Sequence, residues 1–375
     1  MNICFVTIGD ITRIATMKRA LGMANPLLGL GWNVSIIAMD SPENRKRIGL
    51  ECDPRIDVRY YKEGSASDEI KEKTAIVDAL APDLVYFCSY SFRNRIDKGA
   101  LKVKPKIIVE HSELPSGIPD NRGLRKLAAY SFEYMSIRYA DYLVCASKYL
   151  IDVYRRRSKQ VFKGHIPISY SPYAFNAEVI FQPPAKLTEL REKYKDNQVF
   201  LYMGTMTRNY GLFTMLDAID IAQREGGGVK LLLMGRGRHL EEAKQYVAEK
   251  GLEDNVEFLG YVDESDLNAY FELAAAFISP LNNTVQDKAR CPSKIYMYLP
   301  FEKPVFTCKI GEPKEIFGEA GYYFDNNRPD TLAGLMLDLK RAQLHNARFP
   351  IEEHSWDRRA LDFHQWINNP SNTTL

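Results

Sequence analysis

The chain contains no run of about 18 apolar residues, so no segment reads as a membrane-spanning helix. It contains no G-x-G-x-x-G, which argues against a nicotinamide-dependent dehydrogenase. Its six cysteines (Cys4, Cys52, Cys88, Cys145, Cys291 and Cys308) include no C-x-x-C pair, so zinc and disulfide readings are both weak. Four of them lie inside apolar runs, where cysteine acts as a small hydrophobe, and a reducing cytoplasm is the simplest setting. A dominant charge is lacking too: 50 Lys and Arg against 48 Asp and Glu leave +2. No basic stripe interleaved with aromatics is present, so nucleic-acid binding is not expected. The opening Met1-Asn-Ile-Cys-Phe-Val-Thr7 has no basic stretch before it, and Asp10 and Arg13 follow closely. It reads as a first strand rather than a signal peptide.

What is there is a soluble, globular composition, 45% apolar and 26% charged, over 375 residues. That length suits two domains of about 150–200 residues. Short apolar runs at 3–7, 34–39, 84–88, 107–110 and 142–146 read as strands buried on both faces. Residues 13–30 make an amphipathic helix closed by Gly29 and Gly31. A second series follows, with strands at 199–203, 229–234, 256–259, 276–279, 304–308 and 322–324. Helical patterns between them cover 212–224, 239–250, 264–273 and 328–342. Residues 169–187, with Pro172, Pro183 and Pro184, break every period and read as the linker. The expected architecture is therefore two Rossmann-like, doubly wound α/β domains facing each other across a cleft, at 1–180 and 188–354, with a terminal helix near 355–370 crossing back to the first.

Charge divides unevenly between the halves. Residues 1–185 hold 27 cationic and 20 anionic side chains, and residues 186–375 hold 23 and 28, giving +7 and −5. Either this is ordinary scatter, or the first half faces an anionic partner such as a phosphate-bearing acceptor or an acidic membrane surface. The run Tyr154-Arg-Arg-Arg-Ser-Lys159 reads as a solvated basic helix end or a lipid contact.

Ligands of such folds bind outside the carboxyl ends of the strands, so the strand-to-helix loops carry the candidates. Gly9 follows the first strand. His111, in Val109-Glu-His-Ser-Glu-Leu-Pro115, ends another, and its titration range suits polarising a hydroxyl or phosphate. Residues 117–125 after it read as a mobile acceptor loop. Met203-Gly-Thr-Met-Thr-Arg-Asn-Tyr-Gly-Leu212 is a phosphate-facing turn in which Gly204 and Thr205 lie against a ligand and Arg208 is the counter-charge. In Met234-Gly-Arg-Gly-Arg-His-Leu240, Gly235 permits close approach and Arg236 or Arg238 meets a phosphate. The alternative is that these glycines serve tight turns and the arginines only solvent. Last comes Ala289-Arg-Cys-Pro-Ser-Lys-Ile-Tyr-Met-Tyr-Leu-Pro-Phe-Glu-Lys-Pro-Val305, a turn opening a short helix to Leu299. The helix start presents free N–H groups and a positive dipole end, with Arg290, Pro292, Ser293 and Lys294 around it, where a diphosphate can sit.

Taken in order, Met203-Gly-Thr, Leu232-Leu-Met-Gly-Arg-Gly237, Asn255-Val-Glu-Phe-Leu-Gly260, Ala276-Phe-Ile-Ser-Pro280 and the Pro292–Val305 stretch resemble a GT-B glycosyltransferase of the family 4 type. The first half is similar in its opening strand, in His111 and in Tyr139-Ala-Asp-Tyr-Leu-Val-Cys-Ala-Ser147, and the terminal segment with Trp356 in the helix that crosses back. The resemblance covers nearly the whole chain. It implies retaining transfer of a sugar from a nucleoside diphosphate to a saccharide or lipid-linked acceptor, with no cofactor and no required metal. It implies that His111 lies near the donor sugar, that Lys294 and the N–H groups at Ser293 hold the diphosphate, and that Tyr261 and Met297 line the donor site. It further suggests an enzyme of glycan or polysaccharide assembly; the cysteine pattern adds a cytoplasmic setting, and the positive first half a weak attachment to an anionic membrane face through the first domain.

Three departures from the family pattern stand out. Tyr210 occupies the usual second basic position, beside Arg208. The family's E-x7-E pair, whose second Glu grips the ribose, is Ala289 and Met297 here, and a thioether is a poor acceptor. Glu302 stands where the family has Gly, at a cost of about 1 kcal/mol if the left-handed backbone is kept. Two alternatives therefore stay open: a catalytically silent GT-B protein acting as a binding subunit, and a sugar-nucleotide epimerase using Glu110 or Glu113. On the transferase reading, Lys294→Ala and Arg208→Ala both cut turnover sharply.

Overall fold

The computed structural model describes residues 1–12, 14, 16–161, 166–176, 186–342, 344 and 351–370. The chain divides into two compact units, Met1–Asn176 with Lys288–Cys291 and Glu352–Leu375, and Ala177–Asp287 with Pro292–Ile351.

The first unit runs β1 (Asn2–Val6), α1 (Met17–Gly29), β2 (Asn33–Met39), α2 (Pro42–Glu51), β3 (Asp57–Tyr61), α3 (Ala66–Leu80), β4 (Leu84–Phe87), β5 (Lys106–His111), α4 (Leu124–Tyr139), β6 (Tyr142–Cys145), α5 (Lys148–Gln160) and β7 (Ile168–Tyr170). Its strands form one parallel sheet in the order β3-β2-β1-β4-β5-β6-β7. Central strands such as Leu84-Val-Tyr-Phe87 are buried at every position, as a sheet covered on both faces requires. Helices α2, α3 and α5 each start on a serine (Ser41, Ser65, Ser147) whose hydroxyl accepts the N–H three residues on, satisfying one of the orphan donors of the first turn.

Two strands beyond the five expected complete this sheet, and both are its edges. β3 (Asp-Val-Arg-Tyr-Tyr) alternates polar and apolar residues because an edge strand is partly solvated. β7 is only three residues long and occupies the start of the expected linker. The rest of that stretch, up to Asn176, also packs with the first unit: Phe175 bridges Ser355, and Trp356 N–H donates to Phe175 O at 3.1 Å. Residues 177–185, including Pro183 and Pro184, lie outside the described residues, as does Arg13, where the first helix was expected to start.

The second unit runs α6 (Lys186–Lys193), β8 (Gln198–Met203), α7 (Leu212–Gly226), β9 (Val229–Met234), α8 (Leu240–Lys250), β10 (Val256–Gly260), α9 (Glu264–Leu273), β11 (Ala276–Ser279), α10 (Val285–Ala289, whose last two residues belong to the first unit), α11 (Ser293–Tyr298), β12 (Val305–Thr307), α12 (Glu312–Phe317), β13 (Tyr322–Tyr323) and α13 (Pro329–Lys340). Its parallel sheet has the order β10-β9-β8-β11-β12-β13. The core packs α7 and α13 over β8 and β9 through Leu216, Ile219, Leu231, Leu233, Leu332 and Met336. All six strands fall where the apolar runs place them. Glu302, closing the turn after α11, adopts φ 52°, so the left-handed backbone is kept despite the missing glycine.

The terminal helix α14 (Trp356–Asn368) returns to the first unit and lies on α1. Ser355 caps it, and Trp32 Nε1–H donates to His364 Nδ1 at 2.8 Å. The frayed tail expected beyond it falls partly outside the described residues, which end at residue 370. Among the described residues no helix is long and apolar enough to cross a membrane.

Candidate functional site

In the second unit three strand-to-helix turns interlock through their backbones. Gly204 N–H donates to Met234 O at 2.8 Å, Gly235 N–H to Gly260 O at 2.7 Å, and Met206 N–H to Arg236 O at 3.0 Å. Gly235 has φ 129°, and a Cβ there would overlap the Gly204 carbonyl; a Cβ on Gly237 would overlap that of Met206. The glycines of Met234-Gly-Arg-Gly237 are thus required by neighbouring backbone, whereas the expectation assigned Gly235 to the approach of a ligand. The interlock makes the carboxyl end of β8 a rigid platform.

Lys294 stands on that platform. Its Nζ lies 4.1 Å from the ring centroid of Tyr202, in β8, and a Cβ on Gly204 would come within 2.8 Å of the ammonium. The glycine at 204 thus leaves room for the cation where it stands. The Tyr202 hydroxyl donates in turn to Thr205 O at 3.0 Å, bracing the turn. Helix α11 is held by Tyr298, whose ring stacks on Phe277 at 4.1 Å and whose hydroxyl accepts the Met203 N–H at 3.1 Å. Lys294 and Tyr298 are four apart and share one face of that helix, so the contact fixing Tyr298 also delivers Lys294 to β8. No side chain caps α11: Pro292 is its N-cap, and Ser293, half-buried, begins it. Met297 is half-buried in the same helix, and Tyr261, just past β10, is exposed.

Arg208 and Arg236, on neighbouring turns, differ from each other. Arg208 is engaged: its guanidinium pairs with Glu242 and lies 4.1 Å from the ring centroid of Phe213, and its N–H donates to His239 Nδ1 at 3.2 Å. It is a surface ion pair and not a waiting counter-charge. Arg236 is exposed and makes no ion pair among the described residues. Tyr202 and Tyr298 escaped the sequence reading because each sits inside an apolar run. The signal for Tyr298 was its i+4 spacing from Lys294.

The remaining candidates belong to the first unit. His111 is buried, and both ring nitrogens are taken: Nδ1 lies 2.9 Å from Tyr154 Oη and Nε2 3.0 Å from Ser136 Oγ. Because the Ser136 hydroxyl donates to Glu133 O, Nε2 carries the proton and donates, while Nδ1 accepts from tyrosine. Burial, helped by the nearby Arg157 charge, pushes the imidazole down to about 3, so the expected titration near neutrality is absent. Gly9 has its N–H on Tyr61 Oη at 3.3 Å and its carbonyl on the Asn44 amide at 3.1 Å. Arg290, expected beside Ser293 and Lys294, lies in Lys288–Cys291 and packs with the first unit, where burial raises the Glu113 carboxyl and the Arg290 charge offsets part of that rise. Ala289 is fully buried in that unit's core, and Ser147 Oγ donates to its carbonyl at 2.6 Å.

The 3-10 turn at residues 115–117, which leads into the loop read as mobile, is tied down, with Ser116 N–H donating to Glu133 Oε1 at 2.7 Å and Arg157 pairing with Glu133. That also takes Arg157 out of the basic helix end, leaving Arg156 and Lys159 exposed. Glu110 receives the Arg19 Nε–H at 3.0 Å and the Tyr86 hydroxyl at 3.1 Å, all fully buried.

Two doubly wound units of parallel sheet, the second with a basic helix start at the end of its central strand, define the GT-B class. Solved structures agree. Sucrose-phosphate synthase from Thermosynechococcus elongatus matches with a TM-score of 0.74 at 18% identity, covering 98% of each chain. The Anabaena protein HepE, solved with UDP and glucose, matches with a TM-score of 0.72 at 14% identity, covering 98% of this chain and 100% of that one. Within the class, residues 186–355 match the family model described as glycosyl transferases group 1, and that segment carries the Lys294 platform. A curated relative, the GDP-mannose-dependent alpha-(1-6)-phosphatidylinositol monomannoside mannosyltransferase of Mycobacterium tuberculosis, is 26% identical over 128 residues. The match covers 34% of this chain and only 33% of that protein.

Proposed function

We propose that the second unit binds the diphosphate of a nucleoside-diphosphate sugar, and that the chain transfers the sugar to a saccharide or lipid-linked acceptor. The observation that carries this reading is the Lys294 ammonium held over the Tyr202 ring beside the Gly204 turn. A cation fixed at the carboxyl end of a central strand, next to the uncapped start of α11, suits an anion arriving there. Charge builds on the leaving diphosphate as the glycosidic bond breaks, and an ammonium already in place stabilises it without reorganisation. Arg236 supplies a second cation from the neighbouring turn, in the role first given to Arg208. The group 1 match and the UDP bound to HepE support a nucleotide-sugar donor. Transfer with retention, in glycan assembly on the cytoplasmic side of a membrane, is the finer reading we favour from the family pattern.

A silent, binding-only protein is the second reading. The buried Ala289 and the thioether of Met297 motivate it, since neither supplies a carboxylate for the ribose. The epimerase reading is weaker, because Glu110 is committed to Arg19 and Tyr86. Trials of UDP-, GDP- and other activated sugars, followed by thermal shift and by nucleotide release, separate these. Binding with release on adding acceptor supports transfer, binding without release under any acceptor supports the silent protein, and no binding of any donor sinks both.

A further inference from the structure

The first unit carries an apolar surface that the donor site does not use. Helix α4 buries Glu133, Ser136 and Ile137, but its opposite face is apolar as well: Leu124, Leu127 and Met135 point outward, with Leu124 84% and Leu127 63% exposed. Phe92, 53% exposed, extends the surface through its edge contact with Phe132 of the same helix, at 6.3 Å between ring centroids. Outward leucines on a helix that already has a buried face are unusual in a chain free in water and mark a docking surface. Around them stand Arg122, Arg125, Lys126 and Arg138, all exposed. The one carboxylate of α4, Glu133, is buried and neutralised by Arg157. From residue 121 to residue 139 the exposed charge is therefore wholly positive.

We infer that α4 is a membrane-docking helix that lies on an anionic lipid surface, its leucines in the acyl boundary and its cations on lipid phosphates. Charge decides the occupant. A second copy of the same face would set like charges against each other, whereas an anionic bilayer supplies the complement and accepts leucine and phenylalanine side chains without a shaped pocket. The Tyr154–Lys159 run, the alternative lipid contact, is the poorer one because Arg157 is turned inward. This assignment is independent of donor binding, so the two readings fail separately.

The test is co-sedimentation of the full chain with vesicles of phosphatidylcholine alone and with about one-third phosphatidylglycerol, without nucleotide and at low and high salt. Binding is expected only with the anionic lipid, weakening with salt. Replacing Arg122, Arg125 and Lys126 together by Gln should lower the affinity by on the order of a hundredfold, and Leu124→Ser with Leu127→Ser by at least tenfold. Because those side chains are exposed, the thermal unfolding midpoint should not move. Equal binding to both vesicle types, no binding to either, or unchanged binding by both variants overturns the proposal. So does sedimentation equilibrium showing a dimer that Leu127→Ser dissociates.

Discussion

Gly22 of α1 and Trp356 of α14 fit so closely that a single methyl on the glycine would enter the indole ring. Glycine-to-alanine changes inside helices normally stabilise by up to about 1 kcal/mol. Here the sign reverses, because the added carbon forces the two helices apart. Gly22→Ala should lower stability by about 1–3 kcal/mol in denaturant unfolding. An unchanged or raised midpoint would show that α14 does not pack where it is described.

The Arg19 guanidinium lies against Trp356, 5.2 Å from the ring centroid, and bonds Glu110, Ser171 and Pro172 O. This ion pair is wholly buried, so removing one partner strands the other. Arg19→Met should cost about 3–5 kcal/mol at neutral pH. Burial raises the Glu110 carboxyl, and without Arg19 it protonates more readily still, so the loss should shrink as pH falls. Urea unfolding of both proteins at several pH values measures it; a penalty independent of pH would mean that lost packing, not charge, sets the cost.

His111 makes a second pH prediction. Its pKa is held near 3 in the folded chain against about 6.5 unfolded. Between those values the unfolded chain binds more protons, so the contribution is complete above pH 6.5 and is lost as pH falls toward 3. His111→Gln should be less stable at neutral pH yet lose stability less steeply on acidification, by up to about one proton's worth of slope. Identical slopes in the two proteins would contradict the buried neutral imidazole.

Glu302 gives the opposite sign. At φ 52° it occupies a conformation that glycine adopts freely. Glu302→Gly should therefore stabilise by up to about 1 kcal/mol, raising the thermal midpoint by a few degrees at most. A fall in the midpoint would mean that the glutamate side chain contributes more than its backbone costs.

How much of this was legible follows from burial. The central strands of the second sheet announced themselves as apolar runs, because strands covered on both faces leave little else to be, and its edge strands β10 and β13 kept enough apolar residues (Val256, Phe258, Tyr322, Tyr323) to be read as well. β3 and β7 did not, since an edge strand carries polar residues such as Asp57 and Arg59 toward solvent. The site was legible in its residue types more than in its partners. Lys294 followed from its position at a helix start, but nothing in the order of residues tells Arg208, committed to Glu242 thirty-four positions away, from Arg236, left in solvent. Nor could local pattern show that Gly235 serves the Gly204 backbone, or that Ala289 and Arg290 pack with the first unit. Those are pairings between distant segments, invisible to spacing within one.

The diphosphate site is tested most directly by calorimetric titration of UDP and GDP into the wild-type chain, Lys294→Ala and Arg208→Ala. Wild type should bind at least one of the two. Lys294→Ala should bind it on the order of ten- to a hundredfold more weakly, as the loss of a charge-assisted contact implies, while Arg208→Ala should stay within about twofold, its guanidinium being an exposed surface pair. Binding by Lys294→Ala as tight as wild type, or no binding of either diphosphate by the wild-type chain, would contradict the account.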